Sequence, residues 1–397
     1  MKIGIDGNEA NIINRVGSGQ YGFELLRHLV KIETSHQFVI YLKTPPLTDL
    51  PKERANWRYC VFGPKKFWTQ IALPLNLYFR HPRPDVFFTP AHYAPRFSPI
   101  PVVTTIFDLS FLHFPEMFRK QDLYQLRNWT KYSVRKAAKI LTISQSSKAD
   151  IIKNYRVPEE KVVVTYPGVS DEFKPQSKSQ IEAAKIKYQI AGEYILYVGT
   201  LQPRKNLLRL IEAFSKVISG QWLVTREKKP NHPAKGEARQ RRQLPITDYL
   251  QLVIVGKKGW LYDEIFKKVK DLNLEGKVIF TDFVANEDLP ALYSGAKVYV
   301  NVSLWEGFGI PVAESLVCGT PVVVSNTSSL PEVVGDAGIL VNPESVNEIA
   351  AGILKILNLP KKDYQDLRKK SQEQALKFSW EKCAKETFQV LEKVASK

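Results

Sequence analysis

The chain of 397 residues predicts an α/β fold built as two parallel-sheet domains. Short runs rich in β-branched and aromatic residues recur along it: KIGID, QFVIYL, PDVFFTP, PVVTTIF and AKILTIS, then YILYVG, LQLVIVG, KVIFTD, KVYVNVS and TPVVVS. Segments with helical spacing of apolar residues lie between them, the pattern of a sheet covered on both faces. Glycine turns follow several of the strands directly, where open α/β sheets place their ligands. A chain of this length has room for two full cores.

Composition narrows the function classes. Hydrophobic content of 44% is ordinary for a globular protein, and the apolar runs are too short or too interrupted to span a bilayer. The start, MKIGIDGNEA, reads as a buried strand and not as a signal peptide. Cys60, Cys318 and Cys383 are widely spaced and form no metal or disulfide pattern, so a reduced, cytoplasmic setting is expected. A net charge of +17 calls for an anionic partner: nucleic acid, anionic lipid headgroups or phosphorylated substrates. No basic-aromatic RNA motif, zinc-finger spacing or basic heptad region is present, so nucleic acid is not expected.

After the first strand, Gly17-Ser18-Gly19 opens a helix with apolar positions at Phe23, Leu25, Leu26, Leu29 and Val30. A glycine-rich loop entering a helix there is a phosphate-binding candidate, although it lacks the full dinucleotide fingerprint and is also compatible with a plain turn. KKFWTQIALPLNLYF reads as a helix whose apolar residues pack in the core or, beside Lys65 and Lys66, touch a membrane surface. A helical stretch follows from Lys120 to Ala138. Asp108, at a strand end in TTIFDLSF, is placed to contact a ligand. Domain one is expected over 1–172, and the polar stretch Asp171 to Glu193 combines the linker with the first helix of domain two.

In the second domain, expected over 173–375, strand YILYVG ends at Gly199 and leads to Arg204-Lys205-Asn206 at the start of a helix. Two cations beside a helix N-terminus suit a diphosphate; Arg forks onto phosphate oxygens and Lys adds a compact charge. Residues 219–249 are basic and without periodicity, which reads as a mobile insertion. Gly256, Lys257 and Lys258 follow the next strand, and Phe283 and Val284 the one after. Two amphipathic helices after Pro343 precede a final helix over 376–397.

The densest stretch is Ser303 to Glu332. It reads strand, tight loop, helix, strand, with Pro311 suited to a first helical position and Gly319 to the residue past the helix end. The amides of Phe308, Gly309 and Ile310 are placed to face an anion. Glu306 falls in the loop and Glu314 in the first helical turn, where carboxylates accept hydrogen bonds from a ribose or a sugar and also simply suit the dipole.

With its two glutamates separated by seven residues, and with GTPVVVSNTSSLPEVVGDAGILVNP following, this stretch resembles the E-x7-E signature of retaining nucleotide-sugar glycosyltransferases of the GT-B fold. The similarity is to the family 4-like, bacterial mannosyltransferase-like branch and covers nearly all of the chain except 219–249. It implies two Rossmann-like domains facing a cleft, with the last helix crossing back onto the first domain. It also implies Glu306 at the transferred sugar, Glu314 on the ribose, Arg204 and Lys205 on the diphosphate, and the loop at Phe283 and Val284 by the base. Gly17 and Gly19 match the loop over the donor phosphates. Where the family reads T-x-H-D-L-x-F this chain has Phe107, so the family histidine is missing; His92 and His113 lie near in sequence.

The resemblance implies a nucleotide-diphosphate sugar as co-substrate, GDP-mannose first, and a glycan or lipid-linked acceptor, and the basic charge leans toward an acceptor at the inner membrane face. It implies front-side transfer with retention and no metal, since no D-x-D motif stands in a matching context. A same-fold epimerase or phosphorylase, and a basic protein using the fold as a scaffold for nucleic acid or anionic membrane, are the competing readings. Arg204, Lys205, Glu306 and Glu314 together favour the enzyme.

Overall fold

The computed structural model describes residues 1–15, 17–91, 93–220 and 249–396. The chain divides into two compact units, residues 1–170 with 378–397, and residues 171–377.

Unit one contains β1 (Lys2–Asp6), α1 (Ser18–Leu29), β2 (Gln37–Leu42), β3 (Trp57–Val61), α2 (Leu73–Phe79), β4 (Val86–Thr89), β5 (Val102–Thr105), α3 (Ser110–His113), α4 (Lys120–Lys136), β6 (Lys139–Thr142), α5 (Gln145–Tyr155) and β7 (Val162–Val164). Its described strands form one parallel sheet in the order β3-β2-β1-β4-β5-β6-β7. The central strands are apolar on both faces: Val86, Phe87, Phe88, Val103 and Ile140 are buried, as a doubly covered sheet requires.

Unit two contains α6 (Lys178–Lys187), β8 (Tyr194–Val198), α7 (Leu207–Ser219), β9 (Gln251–Val255), α8 (Asp263–Asp271), β10 (Val278–Asp282), α9 (Leu289–Gly295), β11 (Val298–Asn301), α10 (Ile310–Val317), β12 (Val322–Ser325), α11 (Leu330–Val334), β13 (Gly338–Val341), α12 (Val346–Leu357) and α13 (Lys361–Ala375). Its sheet is parallel in the order β10-β9-β8-β11-β12-β13. The core joins Ile195, Tyr197, Leu210, Phe214, Ile254, Val300 and Ile353 across sheet and helices.

The expected fold class is therefore what the chain adopts. The last helix, α14 (Trp380–Ala395), belongs to unit one, where Trp380 packs its ring 5.5 Å from Tyr21 of α1. The insertion expected at 219–249 lies almost wholly outside the described residues, as does His92. Cys60, Cys318 and Cys383 are buried and free of disulfides. No described helix is long and apolar enough to cross a membrane.

In each sheet the strand order reverses between two neighbours, β1 and β4 in unit one and β8 and β11 in unit two. The connections leave such a pair in opposite directions, so their carboxyl ends open a crevice where ligands bind.

Candidate active site

The carboxyl ends of β8 and β11 bring two distant loops of unit two together. After β8 the chain makes a short 3-10 turn, Pro203–Lys205, and then Asn206 adopts a left-handed conformation (φ 59°) before α7. Asn206 donates its amide to the carbonyls of Val302 (2.9 Å) and Pro343 (2.7 Å). The Leu304 amide donates to the Arg204 carbonyl at 2.9 Å. These buried bonds fasten the two loops, so their side chains meet in a set geometry.

What meets there is a carboxylate between two cations. Lys205 Nζ lies 2.5 Å from Glu306 Oε1, and Arg204 Nη1 lies 3.4 Å from Oε2. Arg204 also donates to the Trp305 carbonyl, and Ser303 Oγ lies 2.7 Å from Glu306 Oε1. Ser328 accepts the Glu306 amide at 3.0 Å, while Ser329 donates to the carbonyls of Glu306 and Phe308. Burial alone would raise the Glu306 pKa. The charges of Lys205 and Arg204, with hydrogen bonds from Lys205 and Ser303, outweigh it and hold the carboxyl at about 2. Glu306 is therefore ionised near neutral pH, and the trio carries one net positive charge.

Around this trio stand the other strand-end loops. The Gly199 amide donates to Val255, the Leu201 amide to Lys257, and the Gly256 amide to Asp282. The backbones run so close that a Cβ on Gly256 would lie 2.0 Å from the Gly199 carbonyl oxygen, which explains the glycine at the end of β9. Lys257 places its ammonium 4.6 Å from the centre of the half-exposed Phe283 ring, and Val284 beside it is buried. Among the candidates of unit two, Gly199, Arg204, Lys205, Gly256, Lys257, Phe283 and Glu306 thus sit beyond the carboxyl ends of β8, β9, β10 and β11.

The helix after Glu306 starts at Ile310, with Gly309 before it at φ 97° and Phe308 buried beneath. Pro311 has no N–H and the Val312 and Ala313 amides donate to the Gly309 carbonyl, so what the start of α10 brings near the trio is the positive end of its dipole. Two details differ from expectation. Pro311 is the second helical residue, not the first, and Glu314 lies one full turn in, not in the first turn. As the fifth helical residue Glu314 lies just past the first turn, where the dipole's hold on a carboxylate is already weakening. Instead it meets Tyr293, whose hydroxyl donates to Oε2 at 2.8 Å. Burial pushes the Glu314 carboxyl up to about 7, against the pull of that hydrogen bond.

The candidates of unit one are placed as follows. Gly17 precedes α1 at φ 53°, and Gly19 approaches the Glu9 carbonyl closely enough that a Cβ would lie 3.0 Å from it. Asp108 accepts the Ser110 amide at 2.7 Å, two residues ahead of α3. Phe107 packs edge-on against Tyr21, with ring centres 5.0 Å apart, and its carbonyl accepts from Ser147. His113 faces Asp150, with Nε2 2.9 Å from both carboxylate oxygens. The position of the missing histidine is thus filled by a half-buried aromatic contact, and His113 is engaged by a carboxylate on α5.

Sequence reasoning assigned no role to Ser303, Tyr293, Ser328 or Ser329, which hold the two glutamates and their loop. Their only signal was nearness in sequence to the glutamates or, for Tyr293, none. Among the described residues, no group of three or more His, Cys, Asp or Glu is arranged to hold a metal ion.

Comparison with known proteins gives these residues a context. The family model described as glycosyl transferases group 1 matches residues 180–374, and that of glycosyltransferase family 4 matches residues 16–173. The O-antigen chain mannosyltransferase B of Escherichia coli is 34% identical over 288 residues, covering 72% of this chain and 68% of that protein. The serotype-specific mannosyltransferase WbdA of Escherichia coli is 31% identical over 252 residues, 63% of this chain but only 28% of its own length. The crystal structure of the Anabaena protein HepE in complex with UDP and glucose superposes with a TM-score of 0.72 at 18% identity, covering 98% of this chain and 99% of that one. At that identity the likeness is one of fold.

Proposed function

The chain belongs to the family 4-like glycosyltransferases of the GT-B fold, and from that premise we propose that it moves a mannosyl residue from GDP-mannose to a glycan or lipid-linked acceptor of a cell-envelope polysaccharide, with retention of anomeric configuration. The observation that carries the proposal is the Arg204–Glu306–Lys205 trio at the reversal between β8 and β11. The mannosyltransferase relatives support the choice of sugar.

Charge accounts for the assignment of roles. A nucleotide diphosphate brings two negative charges to a trio with one net positive charge and to the start of α10. Arg204 and Lys205 swing part of their hydrogen bonding to the phosphates and stabilise the charge that develops as the sugar leaves. The amides of Phe308, Gly309 and Ile310 add to that field. Glu306, ionised near neutral pH, is no proton donor there; it accepts hydrogen bonds from sugar hydroxyls and offsets positive charge at the reacting carbon. Glu314 accepts from the ribose. Lys257 and Phe283 border the base. No carboxylate is assigned as a covalent nucleophile, so attack comes from the leaving-group face, with the departing phosphate taking the acceptor proton. The cation pair supplies the charge neutralisation that a divalent metal otherwise gives.

The test is a transfer assay with GDP-mannose and a polyprenyl-linked mannan acceptor, the product being read by NMR at the new anomeric carbon. An α-linked mannose supports the proposal. A β-linked product contradicts retention, and no product with any hexose donor contradicts the activity.

A further inference from the structure

The segment between the edge strand β3 and β4 carries an apolar face turned outward. Residues 68–72 form a π-helical turn that runs directly into α2. One side of this rod packs into unit one through Trp68, Ala72, Leu73 and Leu77. The other side presents Phe67 at 60% exposure, Ile71 at 52%, Leu75 at 51%, Tyr78 at 41% and Phe79 at 78%. Ile71, Leu75, Tyr78 and Phe79 are spaced along one face of the rod, and Phe67 stands just before it. A helix on the surface of a globular protein ordinarily turns polar residues outward, and a contiguous exposed apolar stripe marks an interaction surface.

Charge selects the partner. Residues 62–84 contain Lys65, Lys66, Arg80 and Arg83 and no Asp or Glu. Lys65 and Lys66 stand exposed before the rod and Arg80 after it, so cations flank both ends of the stripe. A second copy of the chain would bring these cations against each other, and the net charge of +17 adds to that repulsion. A neutral protein groove would match the stripe and leave the cations unmatched.

We propose that this face docks on a bilayer containing anionic lipid. The rod lies in the interface plane, its five apolar side chains at the boundary of headgroups and acyl chains and its cations on the lipid phosphates. A rod this short gives reversible adsorption that depends on anionic lipid, not permanent anchoring. The surface belongs to unit one and shares no residue with the Arg204–Glu306–Lys205 trio, so its test is independent of the donor assignment.

The experiment is co-sedimentation of the full chain with vesicles of phosphatidylcholine alone or mixed with phosphatidylglycerol, at low and high salt. Binding is expected with the mixed vesicles only, weakened by salt. I71E/L75E changes two exposed positions, so the melting temperature should hold while binding is lost. K65E/K66E leaves the stripe intact and should weaken binding by about tenfold or more. Failure of the unaltered chain to bind mixed vesicles overturns the proposal, as does binding of both variants at unaltered strength. A dimer seen by light scattering that I71E/L75E dissociates, with vesicle binding unchanged, reassigns the face to a second copy and overturns it as well.

Discussion

Lys205 Nζ and Glu306 Oε1 lie 2.5 Å apart although 101 residues separate them in the chain. The contact joins the loop after β8 to the loop after β11, the two strands between which the sheet order reverses. It holds the cation and the carboxylate against each other, and on the proposed donor-site reading a diphosphate would compete for the cation.

Loss of either cation should therefore act on nucleotide binding. A charge-assisted hydrogen bond contributes about 1.5–3 kcal/mol, so Arg204→Ala and Lys205→Ala are each expected to weaken GDP binding by about 10- to 100-fold. Titration calorimetry with GDP checks this. Unaltered affinity in both variants would remove the diphosphate from this corner.

Glu306→Gln should split binding from turnover. The amide keeps the shape but frees Arg204 and Lys205 from their carboxylate, so GDP affinity should stay the same or rise. Turnover should fall by about 100-fold or more, the range seen when an electrostatic group at a reacting centre is removed. Measured kcat and GDP affinity on the same preparation decide between this and a merely structural glutamate, which would lower both together.

Glu314 should impose a pH dependence on stability. Its carboxyl, pushed up to about 7 by burial, ordinarily titrates near 4.5. A raised carboxyl pKa means that the folded state holds the proton more tightly, so the stabilisation is complete below about 4.5 and is lost as pH rises through about 7. Relative to Glu314→Gln, the unaltered chain should lose melting temperature between about pH 5 and pH 8. Parallel melting curves across that window would argue against a protonated Glu314.

Gly256→Ala should be costly. The added Cβ would meet the Gly199 carbonyl oxygen at 2.0 Å, in a backbone stretch tied to β9 by the Gly199 and Leu201 amides. Destabilisation of about 2 kcal/mol or more is expected in chemical denaturation, with weaker nucleotide binding because the loop carrying Arg204 must shift.

Much of this was legible in the chain. The strand runs found both sheets because buried parallel strands are apolar throughout. Gly319 marked the end of α10, where it takes φ 72°. Arg204, Lys205 and Glu306 were each readable from their places after strands, since strand ends in such sheets face ligands. Their mutual contact was not, because it depends on which strands become neighbours, and no local pattern encodes the β8–β11 pairing. Glu314 falls one helical position later than expected because α10 begins at Ile310 and not at Pro311. Tyr293 reaches Glu314 from α9, again through the fold and not through spacing.

The measurement that bears most directly on the donor site is a thermal-shift series with GDP-mannose, GDP, UDP-glucose and UDP, with and without EDTA, on the unaltered chain and on R204A/K205A. A ligand at about 100 times its Kd stabilises the folded chain by about 2.7 kcal/mol. GDP-mannose and GDP should raise the melting temperature of the unaltered chain, EDTA should leave the shift in place, and R204A/K205A should abolish it. A shift that survives loss of both cations, or no shift with any of the four, would contradict the account.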